Sequence, residues 1–362
     1  MSTRAQLRRA IGVITGQPFF RRYGAAPRTA TGGTTTTIVD NLTLWQELNY
    51  WVGAFAYLPT TDEVRPITAY TPVTWTVTWL ELATAVVAGT LYEIWTQYTP
   101  HEVHQAINEA LRKAWPFFFT VNELPIVIRS SFGVDYALAA ASPAVRKGLQ
   151  LWMEHSVSSV TGISAGGVAI NQLRDTNAAF VAADIGMSIR IYGGTSAGDI
   201  RTVTAIVNPT TIQVGVNFTV ILTTTSLYRM VDLTAVTSNY QPVRTWDLDK
   251  LENPTLLRLT SHPAGYEGCL LRFAYEAEME TLAAEATNTV CPDGFVIPAA
   301  LSWLMMVKMG STPAEYLESW AAQQRAFSAD AADYARTHAF QHLPTFIQDE
   351  SAFGGHGSDW PF

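Results

Sequence analysis

The stretch VRPITAY, residues 64–70, has a counterpart 136 residues later in IRTVTAI, residues 200–206. Both stretches are rich in threonine and β-branched residues, a composition typical of strands. Two neighbouring stretches recur at a similar distance, since VGAFAYL matches IGMSIRI and LYEIW matches LYRMV. Because the three matches keep their order along the chain, we predict two copies of one small antiparallel β module.

The first β module is predicted over residues 38–98 and the second over residues 178–232. Pro72 and Pro209 open the same turn in the two copies. In the first copy, TWTVTW alternates threonine with bulky apolar residues, as a strand with one buried face should. The alternative is that two unrelated β meanders resemble each other, and different strand orders in the two modules would show it.

Helical periodicity appears outside the two modules. In HEVHQAINEALRKAW, residues 101–115, apolar residues recur three and four positions apart and form one continuous stripe. A second helix is predicted over residues 143–155, with a proline at its first position. A short amphipathic helix is predicted over residues 3–15, followed by a loop over residues 24–37.

The last third of the chain is predicted to be mainly helical after a strand at residues 268–277. Pro298 is a start signal for a helix that Gly310 ends. The sequence TPAE at residues 312–315 is a capping box, and the helix that it begins reaches residue 342.

These elements predict an α+β chain, in which several amphipathic helices form the core and two small antiparallel β modules are inserted. The C-terminal residues form an extended tail with spaced aromatic anchors: Phe346, Phe353, Trp360 and Phe362. The predicted segments are a basic N-terminal helix and arm (1–37), the first β module (38–98), a helical segment (99–160), a linker (161–177), the second β module (178–232), a strand with C-terminal helices (233–342) and the tail (343–362).

Charge is sparse and unevenly spread. Only 15% of the residues are charged, against about a quarter in an ordinary soluble domain, while aromatic residues make up 11%. Low charge with many aromatic residues favours an obligate assembly, whose interfaces have this composition. The two cysteines, Cys269 and Cys291, form neither a disulfide framework nor a zinc spacing and fit a reducing cytoplasm. We expect no secretory signal and no membrane span.

The N-terminal segment is basic. Residues 1–39 contain six arginines and no acidic residue, so the rest of the chain carries a net charge of −14 within a total of −8. A solvated arm would need no partner, whereas a docking arm would bind an acidic protein or nucleic acid. A protein partner is the stronger of these two alternatives, because six arginines without lysine are few for a general DNA-binding surface. The candidate contact residues are Arg4, Arg8, Arg9, Arg21 and Arg22.

A literal G-x-S-x-G occurs at residues 162–166, with Ser164 in the nucleophile position. An esterase would place this serine on a strained turn between a buried strand and a helix, with an aspartate and a histidine downstream. Asp293 and either His338 or His342 stand in that order, but the residues after Ser164 carry no helical stripe. We interpret the motif as a loop of small residues. Ser164→Ala is the discriminating variant, since an esterase would lose its turnover.

The pair His101 and His104 is the other candidate for chemistry. Their spacing is three residues, whereas a zincin has two histidines four residues apart with a glutamate between them. A third ligand is not evident in the sequence, and no phosphate-binding glycine motif is present. We therefore predict no catalytic residues, no metal and no cofactor.

The layout resembles the virion neck proteins of tailed bacteriophages, the head–tail adaptor or connector class. The stretches that carry the resemblance are TRAQLRRAIG with its Thr/Gly loop, VRPITAYTPVTWTV with AGTLYEIW, TPHEVHQAINEALRKAWPFFF, and LLRFAYEAEMETLAAEATNTVCPDGFVIPAALSWLM. Many adaptors are shorter and are essentially helical bundles, and the two inserted β modules would account for the additional length.

The resemblance implies a structural role in the virion. Such adaptors form a ring, usually of about twelve copies, beneath the portal protein. The ring extends the DNA channel without sequence recognition and carries the tail or the next neck protein. By this resemblance the chain would be assembled in the host cytoplasm and located at the head–tail junction, with no membrane contact. The alternatives are another virion structural protein (capsid-associated, collar or fibre-base) and a serine esterase using Ser164.

Overall fold

The structure is a computed structural model. It describes residues 2–80, 84–129, 135–138, 145–154, 159–166, 169–232, 240–244, 246–250, 254–260, 265–310 and 313–340. Two compact units are present. Unit 1 contains the described residues of Met1–Thr120 and Glu278–Gln341, and unit 2 contains those of Val121–Ala277.

The described residues form helices and strands with the following bounds. The α-helices are α1 (Arg4–Ile14), α2 (Pro18–Tyr23), α3 (Pro100–Arg112), α4 (Asp293–Met309) and α5 (Ala314–His338). The strands are β1 (Ser2–Thr3), β2 (Arg28–Thr29), β3 (Gly32–Gly33), β4 (Thr37–Val39), β5 (Phe55–Leu58), β6 (Glu63–Thr71), β7 (Thr76–Trp79), β8 (Leu91–Trp95), β9 (Thr120–Val127), β10 (Asp135–Ala137), β11 (Val145–Glu154), β12 (Ser159–Ile163), β13 (Gln172–Arg174), β14 (Ser188–Gly193), β15 (Ile200–Asn208), β16 (Thr211–Val214), β17 (Leu227–Val231), β18 (Tyr240–Pro242), β19 (Trp246–Asp249), β20 (Leu256–Leu259), β21 (Leu270–Ala277) and β22 (Asn288–Thr289).

The predicted fold class, a helical core with two inserted β modules, is wrong. Within the described residues, 22 strands form five antiparallel sheets and the α-helices number five. Two of the sheets, with seven and six strands, hold the predicted modules. The further sheets of four and three strands contain β21, which was predicted as a strand, and strands in segments where none was predicted. The chain is therefore mainly β, and its helices pack around sheets.

The predicted helix over residues 143–155 shows why the helical estimate was too high. The described part of that segment is the strand β11, which pairs with β21 on one side and β18 on the other. Its alternate residues Leu149, Leu151 and Met153 are buried. Apolar residues at this density fit both a helical and an alternating pattern, and the partner strands select the extended form by supplying hydrogen bonds and a packing surface.

Other helix and strand predictions are close to the structure. The helices α1 and α3 both begin with a capping box, Thr3 with Gln6 and Thr99 with Glu102. Helix α4 ends before Gly310 as predicted, but it begins at Asp293 and so contains Pro298. Helix α5 ends at His338, and β21 lies within the predicted strand. The predicted loop at residues 24–37 contains the short strands β2 and β3.

The two repeated segments share one strand order. The seven-stranded sheet, called sheet I, has the order β2-β8-β5-β6-β7-β4-β3, and the six-stranded sheet, called sheet II, has the order β12-β17-β14-β15-β16-β13. From the first strand onward, each strand of sheet II has the same position in the order as a strand of sheet I. Sheet I has one further strand, β3, at its end. The order is therefore the same in the two copies, as the matched sequence stretches predicted.

The register of the strands repeats as well. Strands β5 and β14 occupy the same place in the two sheets. Phe55 of β5 lies opposite Pro66 and Trp95. Its counterpart Ser188 of β14 lies opposite Thr202 and Val231, which occupy the positions of Pro66 and Trp95. A register irregularity also occurs at the same place, between Ile67 and Ala69 in sheet I and between Val203 and Ala205 in sheet II. Because a register is fixed by many side chains at once, this agreement favours a duplicated module over a chance likeness.

Sheet I closes on itself through residues 28–33. The first of these residues pair with β8, and Ala30 N–H still donates to the carbonyl of Thr90 at 2.8 Å. The next residue, Thr31, bonds to the opposite end of the sheet, because its N–H donates to the carbonyl of Val39 in β4 at 2.8 Å. Strand β3 then pairs with β4. One short segment thus satisfies both ends of the sheet, so that neither end is left as a free edge.

A buried aspartate and a tyrosine recur in the two copies. Tyr92 donates its hydroxyl hydrogen to Asp40 Oδ2 at 2.7 Å, and Tyr228 donates to Asp175 Oδ2 at 2.8 Å. In each copy the aspartate also accepts the backbone N–H two residues later, from Leu42 and from Asn177. The pair joins the end of β4 to β8 in sheet I and the end of β13 to β17 in sheet II, in each case across the closing segment.

Helices surround sheet I in unit 1, whereas sheets pack together in unit 2. In unit 1 the helix α4 packs against α1, α3 and α5, and one apolar core includes residues of these helices and of sheet I. In unit 2, strands β9, β11, β18 and β21 form the four-stranded sheet, and a second core lies inside sheet II. Among the helices of the described residues, none combines the length and apolar character that a transmembrane span requires.

We expect Tyr92→Phe and Tyr228→Phe each to lower the free energy of unfolding by about 1–3 kcal/mol, because each leaves a buried carboxylate short of a donor. Chemical denaturation followed by tryptophan fluorescence would measure the loss. Tyr316→Phe is the matched control, since Tyr316 is exposed on α5. Equal stability of all three variants would contradict a stabilising role for the repeated pair.

Candidate functional site

Helix α1 directs arginine side chains towards sheet I. Arg4 and Arg8 lie one turn apart on the same face of the helix, and both are buried. The Arg8 guanidinium donates to Glu93 through two nitrogens, from Nε to Oε2 at 3.0 Å and from Nη2 to Oε1 at 2.9 Å. The guanidinium carbon Cζ of Arg8 lies 4.5 Å from the centre of the Tyr57 ring. Arg8 and Glu93 thus form a fully buried bidentate ion pair at the base of the helix.

Further acidic and aromatic groups complete this cluster. Glu285 lies 2.5 Å from Arg8 Nη1 and 3.0 Å from Arg4 Nη2. Tyr57 donates its hydroxyl hydrogen to Asp62 Oδ1 at 2.8 Å, and His104 Nε2 lies 3.3 Å from Glu285 Oε1. We call the whole group the Arg8 cluster: Arg4, Arg8, Tyr57, Asp62, Glu93, His104 and Glu285.

The environment of the Arg8 cluster shifts the pKa values of its members. Burial lowers the pKa of His104, and the charges of Arg8 and Arg4 act in the same direction. Burial opposes ionisation of Glu285, but hydrogen bonds with His104 and Arg8 outweigh it and hold the pKa of Glu285 well below its usual range. Burial raises the pKa of Tyr57. At neutral pH Glu285 is thus an anionic carboxylate held by the guanidinium groups of Arg4 and Arg8 beside the neutral imidazole of His104.

Three members of the cluster have the ligand types of a metal site. Asp62, His104 and Glu285 each offer one atom, and these atoms lie within 4.8 Å of one another. Glu285, however, already binds the guanidinium groups of Arg4 and Arg8. A metal cation there would lie beside two positive charges, so the residues present do not fit a metal. His101 is exposed, and its Nε2 lies 3.2 Å from the backbone oxygen of Asp62.

The G-x-S-x-G motif lies where sheet II closes. Ser164 N–H donates to the carbonyl of Ser226 at 2.8 Å, and the next residue, Ala165, donates to the carbonyl of Arg174 at 2.6 Å. The side chain of Ser164 is buried, and its hydroxyl accepts a hydrogen bond from Gly166 N–H at 3.1 Å. In sheet I the corresponding crossing residue is Ala30. Ser164 therefore occupies a strand crossing rather than a turn from a strand into a helix.

The structure explains why glycine occupies both of its positions in the motif. A Cβ atom on Gly162 would lie 2.4 Å from Asp175 Oδ2 and 2.5 Å from the Tyr228 hydroxyl oxygen. Gly162 thus leaves room for the repeated aspartate–tyrosine pair. Gly166 has a φ of +93°, which glycine adopts without strain.

The predicted partner-contact residues have different environments. Arg4 and Arg8 are buried in the Arg8 cluster, and Arg9 Nε donates to Glu93 Oε1 at 2.8 Å. Arg21 and Arg22 are exposed at the end of α2. The aromatic residues Phe346, Phe353, Trp360 and Phe362 lie outside the described residues. Among these five arginines, Arg21 and Arg22 are the two that are exposed.

An exposed apolar surface lies beside those two arginines. The loop between β4 and β5 exposes Leu42, Trp45 and Leu48, with 71%, 62% and 66% of their surface accessible. The turn between β6 and β7 exposes 81% of Val73, and Asp40 N–H joins the loop to this turn through the carbonyl of Trp75 at 3.1 Å. We call these four residues the Trp45 surface: Leu42, Trp45, Leu48 and Val73.

Side-chain hydrogen bonds fix the loop that carries Leu42, Trp45 and Leu48 of the Trp45 surface. Tyr70 donates its hydroxyl hydrogen to the carbonyl of Leu44 at 2.8 Å, and Trp51 Nε1–H donates to Gln46 Oε1 at 2.9 Å. Gln46 Nε2 in turn donates to the Tyr23 hydroxyl at 2.8 Å. Leu44 and Trp51 are buried, so the loop points one set of apolar side chains inward and another outward. Such a surface is ordered before a partner arrives.

The sequence reasoning did not identify the residues of either site beyond the arginines and His104. Asp62, Glu93 and Glu285 are far apart in the chain, and no local pattern connects them. The Trp45 surface left one signal, because the stretch NLTLWQELNYW between two strands is rich in apolar residues yet lacks strand alternation. Comparisons of the chain with protein-family models, with curated proteins and with solved structures find no match.

Replacement of Arg8 tests the buried ion pair. We expect Arg8→Met to lower the free energy of unfolding by about 3–5 kcal/mol, because Glu93 loses its bidentate guanidinium partner and Glu285 loses its closest one. Arg112→Met is the control, since Arg112 pairs with Glu109 at the surface, where a pair contributes about 1 kcal/mol or less. The double variant Arg8→Met with Glu93→Met should recover part of the loss. Similar losses for Arg8→Met and Arg112→Met in denaturant titrations would argue against the buried pair.

The Arg8 cluster also predicts how stability depends on pH. The folded state lowers the pKa of His104 below its ordinary value of 6.5, so the unfolded state binds the proton more readily. Stability from this group is therefore present above pH 6.5 and is lost as the pH falls through the folded pKa. Glu285, also lowered, adds a loss in the same direction as the pH falls below 4.5. His104→Gln should flatten the dependence just below pH 6.5 in thermal melts.

Proposed function

We propose that this chain is a structural subunit that works by binding other protein subunits. The observation that carries the proposal is the Trp45 surface, which exposes three apolar side chains on an ordered loop and Val73 on the adjoining turn. Tyr23 connects this loop to the end of α2, where Arg21 and Arg22 are exposed. Apolar and aromatic residues with neighbouring arginines are the composition of interface centres. The low fraction of charged residues, 15%, supports the same conclusion.

We further propose that the assembly is a ring at the portal vertex of a tailed-phage virion, where it joins the DNA-filled head to the tail. The sequence resemblance to head–tail adaptor proteins supports this location. The subunit would bring closed β sheets to the ring rather than the helical bundle that many adaptors use. Portal protein, tail or a further neck protein, and neighbouring copies are the partners, and DNA passes through the channel without sequence recognition.

Labelling of intact virions tests the location. Immunogold with antibody against this chain should mark the head–tail junction. Antibody pre-incubated with excess purified protein is the control for specific label. Label on the capsid or on fibres would replace the junction by another structural role in the virion. Absence of label from purified virions, with the chain detected in the infected-cell lysate, would overturn the virion proposal.

A further inference from the structure

The Trp45 surface needs a partner whose chemistry is both apolar and acidic. Its centre is apolar, and the exposed arginines Arg21 and Arg22 stand at the end of α2 next to it. Tyr23 links the two, because its hydroxyl contacts Thr43 and Gln46 of the loop while the Arg22 guanidinium lies 5.7 Å from its ring centre. Glu47 is an exposed carboxylate within the same loop.

The chain itself contains a segment with this chemistry. Residues 343–362 have the sequence LPTFIQDESAFGGHGSDWPF, with three acidic residues and neither lysine nor arginine. Phe346, Phe353 and Trp360 recur every seven residues, so that apolar anchors alternate with carboxylates along the segment. The segment lies outside the described residues, and its sequence alone enters the argument. Aromatic anchors suit an apolar surface, and the carboxylates suit the two arginines.

The segment starts from a fixed point on unit 1. Phe340 N–H donates to the carbonyl of Phe117 at 2.8 Å, and the Phe340 ring lies 5.2 Å from Phe118 and 5.9 Å from Phe119. Phe117, Phe118 and Phe119 follow α3, whereas the Trp45 surface lies on connections between strands of sheet I. Twenty extended residues span at most roughly 70 Å, which is enough to reach a neighbouring subunit.

We propose that residues 343–362 of a second copy of this chain bind the Trp45 surface. The aromatic residues cover Leu42, Trp45 and Val73, and the carboxylates pair with Arg21 and Arg22. This inference rests on the proposed function, since it names the partner of the surface that carries it. Each copy then has one donor segment and one acceptor surface. Such a head-to-tail contact is heterologous and closes into a ring when the rotation between copies allows it.

A complementation experiment with full-length protein tests the proposal. The acceptor variant carries Leu42→Ser with Trp45→Ser, and the donor variant carries Phe353→Ser with Trp360→Ser. Each alone retains a donor or an acceptor but not both, so each should be monomeric by sedimentation velocity at concentrations where the unaltered chain is oligomeric. Mixed in equal amounts, the two variants should form a dimer and stop there, because the only functional donor meets the only functional acceptor.

Matched variants exclude general effects of lost apolar surface. Val181→Ser alters an exposed apolar residue in the corresponding loop of sheet II and should leave the oligomer unchanged. Glu47→Lys adds a positive charge to the loop and should strengthen association by several-fold at low salt, with the gain lost at high salt. Circular dichroism spectra that match the unaltered chain show that each variant is folded.

A labelled peptide of residues 343–362 gives an independent measurement. It should bind the donor variant and bind the acceptor variant roughly tenfold more weakly or worse, as expected when central anchors are removed. Oligomers that persist in both variants, or peptide affinity that is equal for both, would overturn the proposal. A monomeric unaltered chain, in which each segment covers its own surface, would overturn it too. The outcome is separate from virion labelling, because self-association can hold whether or not the label lies at the head–tail junction.

Discussion

Closure of the two large sheets is the constraint on which the rest of the structure depends. In each sheet one short segment hydrogen-bonds on two sides, to β8 and β4 in sheet I and to β17 and β13 in sheet II. The crossing residues are Ala30 and Thr31 in sheet I and Ser164 and Ala165 in sheet II. Closure removes free edges and fixes the register of every strand between the two ends. The crossing residue is small in both sheets, Ala30 and Ser164, which accounts for the serine that imitates a hydrolase motif.

The same positions on the two closed sheets attach different neighbours. The cross-strand pair Tyr57 and Glu93 in sheet I aligns with Arg190 and Arg229 in sheet II. Glu93 binds Arg8 of α1, whereas Arg190 pairs with Glu154 of β11 and Arg229 Nη1 lies 2.9 Å from Cys269 Sγ. The duplicated module thus keeps its backbone while the charge on one face is reversed, from acidic to basic. A helix with arginines packs on one copy, and a sheet with a glutamate packs on the other.

Prediction from sequence was most accurate where structure is determined locally. Helices α1 and α3 carry their own capping boxes and apolar stripes, and the strands of both modules are rich in β-branched and aromatic residues. Prediction failed for β11, where the apolar residues fit two periodicities, and for the fold class, because several short strands have too few residues for any pattern. Of the candidate sites, the arginines of α1 were noticed for their charge, but their carboxylate partners lie up to 281 residues away in the chain.

The sequence by itself determined the duplication, the positions of α1 and α3 and the low content of charged residues. These properties depend on local composition or on comparison of one segment with another, which need no coordinates. Only the tertiary structure decided that the sheets close, that Arg4 and Arg8 are buried while Arg21 and Arg22 are exposed, and that Trp45 points outward while Leu44 and Trp51 point inward. The physical reason is that burial and charge pairing are set by residues distant in the chain, whose positions follow from the closed sheets rather than from any neighbouring residue.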